Sequence, residues 1–312
     1  MKILVPINDI KQVDDYISCG AEEFYLGFYE EEWLKRFGEY GDLNRLTGYG
    51  KMANQYDLKE VAVLIKMIKD KGGSAFITFN SSMYSKEQLS YIDRYMSQLS
   101  KYKVDGIIVS CPELVELCMK HNLFCVMSTI AGAYNTDIIE FYKKMGAGRV
   151  IIPRDVMLSD IRQIVSQVSD MEFEVFIMRS GCRYSDSNCL GLHRSELCTL
   201  CGSLDGYIEE LGDYNEQYID NHNLFKNRFH SETCGICTIY DFLKLNINAC
   251  KVVGRKQNIE EIKSDIRLIK KNIEIALNCS SKEEYLSKMI FPENKDYRCR
   301  EGLSCYYPEV RF

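Results

Sequence analysis

The chain has 312 residues, of which 27% are charged and 46% hydrophobic, and its net charge at pH 7 is −6. This composition is ordinary for a folded globular protein, and the acidic balance argues against broad, sequence-independent binding of nucleic-acid backbones. The sequence shows neither a signal segment nor an apolar run of membrane length, so we expect a cytoplasmic protein without a membrane segment.

Cysteine is frequent, with 14 residues. Disulfide scaffolds are typical of small secreted domains, and this chain is large and has no secretory signal, so metal binding or redox chemistry is the expected use of its thiols. Five cysteines fall within or beside apolar helix and strand patterns, where a thiol usually packs as a small hydrophobic group. These five are Cys19, Cys111, Cys118, Cys125 and Cys250.

The first elements alternate between strand and helix. The pattern predicts a strand at residues 2–7, a helix at 9–19 and a second strand at 22–28. A charged and aromatic segment, residues 29–57, comes next and contains Arg36, Arg45, Tyr49 and Tyr56. Loops of this length in a compact domain usually have a function, so we expect a lid or a wall of a substrate site.

The same alternation continues along the chain. Helices are predicted at residues 58–71, 85–102, 112–120, 137–145, 159–168 and 258–277, and strands at 74–80, 106–110, 123–128, 149–152, 172–178 and 249–254. Alternation of this kind indicates a parallel sheet, and eight units favour a (β/α)8 TIM-barrel-like fold of the α/β class. The alternative is an open doubly wound sheet, but no Gly-x-Gly-x-x-Gly turn of the dinucleotide-binding type follows the first strand.

One domain accounts for most of the chain. We expect residues 1–278 to form the barrel, with a cysteine-rich metal-binding insertion at residues 182–242 after strand 7. The insertion stands where a single β/α loop belongs, and it is too long to be one. Residues 279–312 are expected to form a short C-terminal extension.

The insertion places cysteines next to the carboxyl end of a buried strand. Six of them lie between Glu174 and Cys237, in the pattern Cys182-x6-Cys189-x8-Cys198-x2-Cys201-x32-Cys234-x2-Cys237. Active sites and cofactors collect at that end of the strands in alternating β/α proteins. Thiolates bind both Zn²⁺ and iron–sulfur clusters, and two Cys-x2-Cys pairs alone would be typical of a zinc knuckle. The spacing leaves both interpretations open, the zinc ligands being Cys198, Cys201, Cys234 and Cys237.

Three stretches carry a family resemblance. The segment Glu174-x-Phe176-x-x-Arg179-Ser180-Gly181-Cys182-x6-Cys189 resembles the signature of the peptidase U32 family. The passage from Cys237 to Arg255 and the early Glu23-Phe-Tyr-Leu-Gly27 are similar to that family as well. Three features depart from the pattern: Arg179 and Ser187 stand where the family usually has glycine, and the interval from Cys189 to Cys198 is short.

The resemblance implies a cofactor. Four cysteines hold a 4Fe-4S cluster in several members of the family, and by position they correspond to Cys182, Cys189, Cys198 and Cys237, with Cys201 able to replace Cys198. Further thiols are candidates for an additional metal site, namely Cys201, Cys234, Cys299 and Cys305.

The resemblance also implies two kinds of activity, because the family includes collagenase-like proteases and proteins for dioxygen-independent hydroxylation of RNA bases or ubiquinone precursors. The sequence has neither a His-Glu-x-x-His zinc site nor a Gly-x-Ser-x-Gly elbow, which favours hydroxylation. We therefore expect an iron–sulfur enzyme or enzyme component that hydroxylates an RNA base or a small aromatic, quinone-type substrate, with a partner subunit or electron donor. A peptidase and a zinc-knuckle binding module are the alternatives.

Other candidate residues lie at the predicted carboxyl edge of the sheet. Arg154 and Arg255 are candidate clamps for a substrate carboxylate or phosphate, and ordinary ion pairs with acids such as Asp155 are the alternative. His193, inside the insertion, is a candidate substrate-binding residue, whereas His121 at a helix end is expected to be structural. The remaining polar groups at this edge are Asn80, Ser110, Ser128 and Thr129.

Overall fold

Eight parallel strands form the centre of the fold. The structure, a computed structural model, describes residues 1–28, 30–38, 41–55, 57–182, 185–189, 233–255, 257–292, 299 and 305–310. The strands are β1 (Lys2–Pro6), β2 (Glu23–Phe28), β3 (Ser74–Phe79), β4 (Gly106–Val109), β5 (Cys125–Met127), β6 (Arg149–Ile151), β7 (Glu172–Met178) and β8 (Ala249–Val252). Each strand pairs in parallel with the next, and β8 pairs with β1, so the sheet is closed. The predicted (β/α)8 TIM-barrel fold is confirmed.

The strands form where the sequence has short, continuous apolar runs. In β2 and β4 every residue is buried, and in β7 only the first residue is half-buried. Such runs are expected of parallel strands, because one face packs inside the barrel and the other face packs under helices. Four of the five cysteines predicted to be core residues are buried, and Cys111 is half-buried.

Amphipathic helices surround the barrel. They are α1 (Gln12–Cys19), α2 (Glu31–Phe37), α3 (Leu58–Asp70), α4 (Lys86–Lys101), α5 (Pro112–Lys120), α6 (Thr136–Met145), α7 (Leu158–Gln167), α8 (Ile239–Lys244), α9 (Ile259–Leu277) and α10 (Lys282–Lys288). Local capping fixes several of their first turns. Ser85 and Gln88 form a capping box at the start of α4, and the Asp57 side chain accepts a hydrogen bond from the Glu60 N–H in α3. No helix in the described ranges combines the length and apolar character needed to cross a bilayer.

The segment at residues 29–57 is more ordered than the sequence suggested. It contains α2, a 3₁₀ helix (Thr47–Met52) and a two-residue strand (Asn54–Gln55) that pairs in parallel with β2. Trp33 of α2 is fully buried, and its Nε1–H donates to the Gly41 carbonyl. The Trp33 ring also lies against the Tyr91 and Tyr95 rings of α4, with centroids 6.3 and 6.4 Å apart, so the segment packs on the helix layer. It is therefore not a plain loop, and its role as a lid or a wall of a substrate site stays a prediction.

The C-terminal extension returns to the barrel after α10. Cys234 forms an antiparallel bridge with Met178 at the end of β7 and a parallel bridge with Cys305. Tyr307 is buried, and its hydroxyl donates to the Phe176 carbonyl at 2.9 Å. The described part of the extension thus packs against the strand that carries the first cysteine of the insertion.

Candidate functional site

The end of β7 directs the cysteine-bearing loop towards the carboxyl ends of the barrel strands, which are here called the mouth of the barrel. Arg179 and Ser180 both have left-handed backbone conformations, with φ of 69° and 47°. Such conformations favour glycine, which explains why the resembling family signature has glycine where this chain has Arg179. Here the Arg179 guanidinium is held by α9, with Nη2 donating to Asp265 Oδ1 at 3.1 Å and Nη1 lying 3.2 Å from Glu261 Oε2.

Asp186, between Cys182 and Cys189, is the central polar residue of the mouth. Its carboxylate is completely buried. Arg154 Nη1 donates to both carboxylate oxygens at 2.6 and 2.7 Å, and Arg45 Nη1 donates to Oδ1 at 2.9 Å. The Thr129 hydroxyl donates to Oδ2 at 2.7 Å. One carboxylate therefore joins three segments that follow β2, β5 and β6.

The charges in this group stabilise one another. Burial alone would raise the pKa of Asp186, but Arg154, Arg45 and the Thr129 hydrogen bond outweigh it and hold that pKa well below its usual range. Burial likewise opposes the charge on Arg154, whereas Asp186 raises the pKa of Arg154 above its usual value. Two guanidiniums face one carboxylate, so the group has an excess positive charge.

The two cysteines of this loop lie beside the same arginine. Arg45 Nη2 is 3.8 Å from Cys182 Sγ, and Cys189 is within electrostatic reach of Arg45. The Ser82 hydroxyl donates to the Cys189 carbonyl at 3.0 Å and holds that end of the loop. A guanidinium beside two thiols offsets the negative charge that a thiolate-bound iron–sulfur cluster carries. The described loop thus supplies two thiols, half of the ligands that a 4Fe-4S cluster needs, next to a cation that would offset its charge.

An aromatic stack supports Arg154. Its guanidinium carbon lies 3.8 Å from the centre of the Phe176 ring, a cation–π contact, and the Tyr306 ring stacks on Phe176 with centroids 5.8 Å apart. The Tyr306 hydroxyl donates to the Arg179 carbonyl. The C-terminal extension therefore contributes to the positioning of a charged residue at the mouth of the barrel.

Arg255, which follows β8, is buried without a carboxylate partner in the described part of the chain. It is only 5% exposed, and it donates to Asn44 Oδ1 at 2.8 Å and to Asn54 Oδ1 at 3.2 Å. Gly27 is needed for this approach, because a Cβ there would stand 1.8 Å from Arg255 Nη1. Burial lowers the pKa of Arg255 to about 10. Among the described residues Arg255 therefore does not form the ordinary ion pair that was one of its two alternatives, and its role as a substrate clamp stays a prediction.

Three arginines at the mouth keep a buried donor unused. The Nε–H groups of Arg45, Arg154 and Arg255 are buried and have no hydrogen-bond partner among the described residues. Tyr25, inside the barrel, is within electrostatic reach of both Arg154 and Arg255. These unpaired groups are N–H donors of cationic side chains, so the arrangement suits the binding of an anionic group.

The motifs that carried the family resemblance meet inside the barrel. Arg149 Nη1 donates to Glu23 Oε2 at 2.6 Å, and Lys251 Nζ donates to Glu174 Oε1 at 2.8 Å. Arg149 Nη1 also lies 3.5 Å from Glu174 Oε2, so the two pairs form one buried network. Lys251 Nζ lies 4.1 Å from the centre of the Tyr25 ring. These motif residues build the interior below the site.

Cys237 lies with a different set of thiols from Cys182 and Cys189. A small cavity is lined by Cys234, Cys237, Cys299 and Cys305. Within the described residues, no three ligand side chains already stand at metal-binding spacing. Cys198, Cys201 and His193 lie outside the residues that the structure describes. The predicted cluster ligands Cys182, Cys189, Cys198 and Cys237 therefore stay a prediction.

The remaining candidate residues lie at the carboxyl edge of the sheet or on the outside of the barrel. Asp155 is exposed, and Arg154 pairs with Asp186 instead. Asn80 accepts from the Arg45 N–H at 3.2 Å and donates to the Ser128 hydroxyl at 3.3 Å, and the Ser110 hydroxyl donates to the Ser81 carbonyl. His121 Nε2 lies 2.6 Å from Asp93 Oδ1 at the end of α5, as expected of a structural histidine.

Sequence reasoning missed two central residues, Asp186 and Arg45. Asp186 was visible as the one acid within the Cys182-x6-Cys189 loop, but its two arginine partners are 141 and 32 residues away. Arg45 was noted only as part of the proposed lid.

The sequence pattern of Peptidase family U32 matches residues 8–309. The chain belongs to peptidase family U32. Among solved structures, the U32 peptidase Mk0906 has a similar fold, with a TM-score of 0.51, 14% identity, and coverage of 81% of this chain and 94% of that chain.

Curated relatives of this U32 chain have two kinds of name. The tRNA hydroxylation protein P1 of Bacillus subtilis is 22% identical, over 95% of this chain and 68% of its own length. The tRNA hydroxylation protein P of Escherichia coli is 27% identical, over 61% of this chain and 38% of its own length. The Collagenase of Porphyromonas gingivalis is 19% identical, over 92% of this chain and 69% of its own length. This U32 chain thus spans about two fifths to about two thirds of these relatives.

Proposed function

We propose that this U32 chain is an iron–sulfur enzyme, or the iron–sulfur component of one, that hydroxylates a base of transfer RNA without dioxygen. The observation that carries the proposal is the mouth of the barrel, where Cys182 Sγ lies 3.8 Å from Arg45, Cys189 is within electrostatic reach of Arg45, and the guanidiniums of Arg45 and Arg154 share the buried Asp186 carboxylate. Two relatives named for tRNA hydroxylation support the choice of substrate.

The residues of the mouth supply binding and positioning. Arg255, and the excess positive charge around Asp186, would hold a phosphate or carboxylate, because guanidinium groups bind such anions with paired hydrogen bonds. The cluster, on Cys182, Cys189 and further ligands from Cys198, Cys201 or Cys237, would supply electron transfer or Lewis-acid chemistry. Arg45 would offset its negative charge.

RNA binding at this site needs a local contact. The net charge of −6 disfavours binding along an extended stretch of the phosphate backbone, since such binding depends on many Lys and Arg contacts. We therefore expect the barrel mouth to take one nucleotide with its phosphate. Hydroxylation of a C–H bond with oxygen from water releases two electrons and two protons, so a partner subunit or redox partner would have to accept the two electrons, and an electron donor alone would not balance the reaction.

The first experiment tests the cluster. The protein is purified without oxygen, and iron, sulfide and visible absorption are measured for the wild type and for Cys182→Ala and Cys189→Ala. We expect both variants to lose the iron, the sulfide and the brown colour. Cys19→Ala, which changes a buried cysteine of α1, is the matched control and should keep all three. A wild-type protein without iron would refute the cluster.

The second experiment tests the reaction. Transfer RNA from cells that do or do not express the chain is digested to nucleosides and analysed by mass spectrometry. Expression should add a nucleoside heavier by one oxygen atom, and Cys182→Ala should abolish it. An unchanged nucleoside profile with an intact cluster would contradict the choice of tRNA.

Peptide hydrolysis is the second candidate, because one relative is named Collagenase. His121 is the single histidine in the described residues, and it pairs with Asp93 at the end of an outer helix, so these residues assemble no histidine-activated nucleophile at the mouth. Peptide cleavage that persists after iron is removed would favour this candidate over hydroxylation.

A further inference from the structure

Four cysteines from two distant segments line one small cavity beside β7. The cavity has a volume of about 10 Å³, close to the space that one water molecule or ion needs. Its thiols come from the pair Cys234-Gly-Ile-Cys237 and from Cys299 and Cys305. Apolar groups complete the lining, namely Ile236, Met289, Phe291 and Pro292.

The backbone fixes this meeting of two segments. The Gly235 N–H donates to the Ile177 carbonyl at 2.8 Å, which anchors the first pair to β7. The Tyr306 N–H donates to the Cys234 carbonyl at 3.0 Å, which brings Cys305 alongside. Gly235 permits the close approach, because a Cβ there would stand 2.7 Å from the Tyr307 ring.

The chemistry of this lining is that of a structural metal site. Four thiolates form a closed tetrahedral site for Zn²⁺, and a Cys-x2-Cys pair is a usual half of such a site. The four thiols line the cavity but are farther apart than the ligands of one metal ion, so metal binding requires their side chains to move closer together.

We propose that Cys234, Cys237, Cys299 and Cys305 bind one Zn²⁺ ion, and that this ion fastens the C-terminal extension to the mouth of the barrel. Of the ligands considered for the proposed cluster, this site uses Cys237 alone, and it does not require the cluster to be present. It assigns Cys237 to zinc, which leaves Cys182, Cys189, Cys198 and Cys201 as the four thiols of the insertion that remain for iron.

The proposed ion has a consequence for the candidate active site. Tyr306 follows Cys305 directly, and its ring stacks on Phe176 while its hydroxyl donates to the Arg179 carbonyl. The Phe176 ring in turn makes the cation–π contact with the Arg154 guanidinium. Zinc at the four thiols would therefore hold the stack that positions Arg154.

The test is a metal count on the full-length protein purified without oxygen. The wild type should contain one zinc per chain, and Cys299→Ser and Cys305→Ser should lose it while their iron and sulfide stay at the wild-type level. Cys182→Ala should show the reverse, with zinc kept and iron lost. Cys279→Ala, a nearby buried cysteine that does not line the cavity, is the matched control and should keep both metals.

Cobalt provides a readout that does not depend on folded variants. Addition of Co²⁺ to zinc-depleted wild-type protein should produce thiolate-to-cobalt charge-transfer absorption and the visible bands of tetrahedral cobalt. A wild-type protein with neither zinc nor these bands would overturn the proposal, as would disulfides among the four cysteines in the native protein. Loss of iron in Cys299→Ser with iron kept in Cys182→Ala would place the cluster here, and would overturn both this proposal and the proposed cluster ligands.

Discussion

At the scale of single residues, two buried arginines at the mouth of the barrel differ in their partners. Arg154 shares the Asp186 carboxylate with Arg45, whereas Arg255 has only the neutral amides of Asn44 and Asn54 among the described residues. A buried pair that loses one partner leaves an uncompensated charge, but a buried charge without a partner already bears that cost. Removing Asp186 should therefore lower stability strongly, whereas removing Arg255 should change stability little.

Asp186→Asn should destabilise the protein strongly at neutral pH. The change leaves Arg45 and Arg154 buried without their carboxylate, and we expect a loss of about 3–5 kcal/mol in the free energy of unfolding. Because the pKa of Asp186 is lowered in the folded state, its stabilisation is complete above the unfolded-state value of about 3.9 and is lost as the pH falls through the lower folded-state value. Urea unfolding at pH 7 and pH 3 measures this, and the difference from wild type should shrink at pH 3.

Asn188→Ala, at an exposed residue of the same loop, is the control for this comparison and should change stability little. A loss for Asp186→Asn that stays constant between pH 7 and pH 3 would contradict the assignment of the effect to the Asp186 charge.

Arg255→Met should separate binding from stability. It removes two hydrogen bonds to amides, worth about 1 kcal/mol each, but it also relieves an uncompensated buried charge, so the free energy of unfolding should change by less than about 1 kcal/mol. Affinity for a nucleoside monophosphate, measured by calorimetry, should fall about tenfold or more, since hydrogen bonds to charged groups are worth about 1.5–3 kcal/mol.

The pH profile of that affinity provides a second check. Burial lowers the pKa of Arg255 to about 10, so wild-type affinity should fall as the pH rises past about 10, and Arg255→Met should lack that step. Arg162→Met, a half-exposed arginine that pairs with Asp241 outside the barrel, is the control. Equal affinity in Arg255→Met and wild type would remove Arg255 from the binding site.

At the scale of elements, β2 and the segment after it meet Arg255 at Gly27. A Cβ at Gly27 would stand 1.8 Å from Arg255 Nη1 and 2.6 Å from Asn54 Oδ1, so Gly27→Ala must displace both. Overpacking of this kind costs about 1–3 kcal/mol, and we expect that loss in urea unfolding. The double variant Gly27→Ala with Arg255→Ala should recover part of it. Full wild-type stability in Gly27→Ala would show that Arg255 is not held as described.

The elements that the sequence predicted are those whose pattern is local. The eight strands are short buried runs, and helices such as α4 have both a capping box and an apolar stripe, so their order and the closed barrel follow from the sequence. Helix α2 was missed because its seven residues are mostly charged, and its buried Trp33 makes contacts that no local pattern shows.

The site was harder to predict because its contacts are distant along the chain. Cys182 and Arg154 were identified from their positions after strands, but Asp186 meets Arg45 across 141 residues. The four thiols around Cys237 include two from the C-terminal extension, whose weak periodicity gave no indication of where it packs. Spacing alone therefore could not assign Cys237 to one group of thiols.

At the scale of the whole molecule, the barrel interior contains an ionic network instead of an entirely apolar core. Glu23, Arg149, Glu174 and Lys251 come from β2, β6, β7 and β8, and all four are buried. Because these strands are far apart in sequence, the network forms only when the barrel closes. Two carboxylates and two cations balance, which permits their burial at a tolerable cost.

Arg149→Met tests whether that balance matters to the whole fold. The variant leaves Glu23 and Glu174 with one buried cation fewer, and we expect a loss of about 3–5 kcal/mol at pH 7. In the wild type burial would raise the pKa of Glu23, but Arg149 lowers it below the ordinary value; without Arg149 burial prevails and the folded-state pKa rises. As the pH falls, protonation of Glu23 then removes its unbalanced charge from the variant. The difference between variant and wild type in the free energy of unfolding, measured with urea, should therefore be smaller at pH 4.5 than at pH 7. The double variant Arg149→Met with Glu23→Gln removes the unbalanced charge and should recover most of the loss, whereas a double variant as unstable as Arg149→Met would show that packing of the Arg149 stem, and not charge balance, sustains the closed barrel.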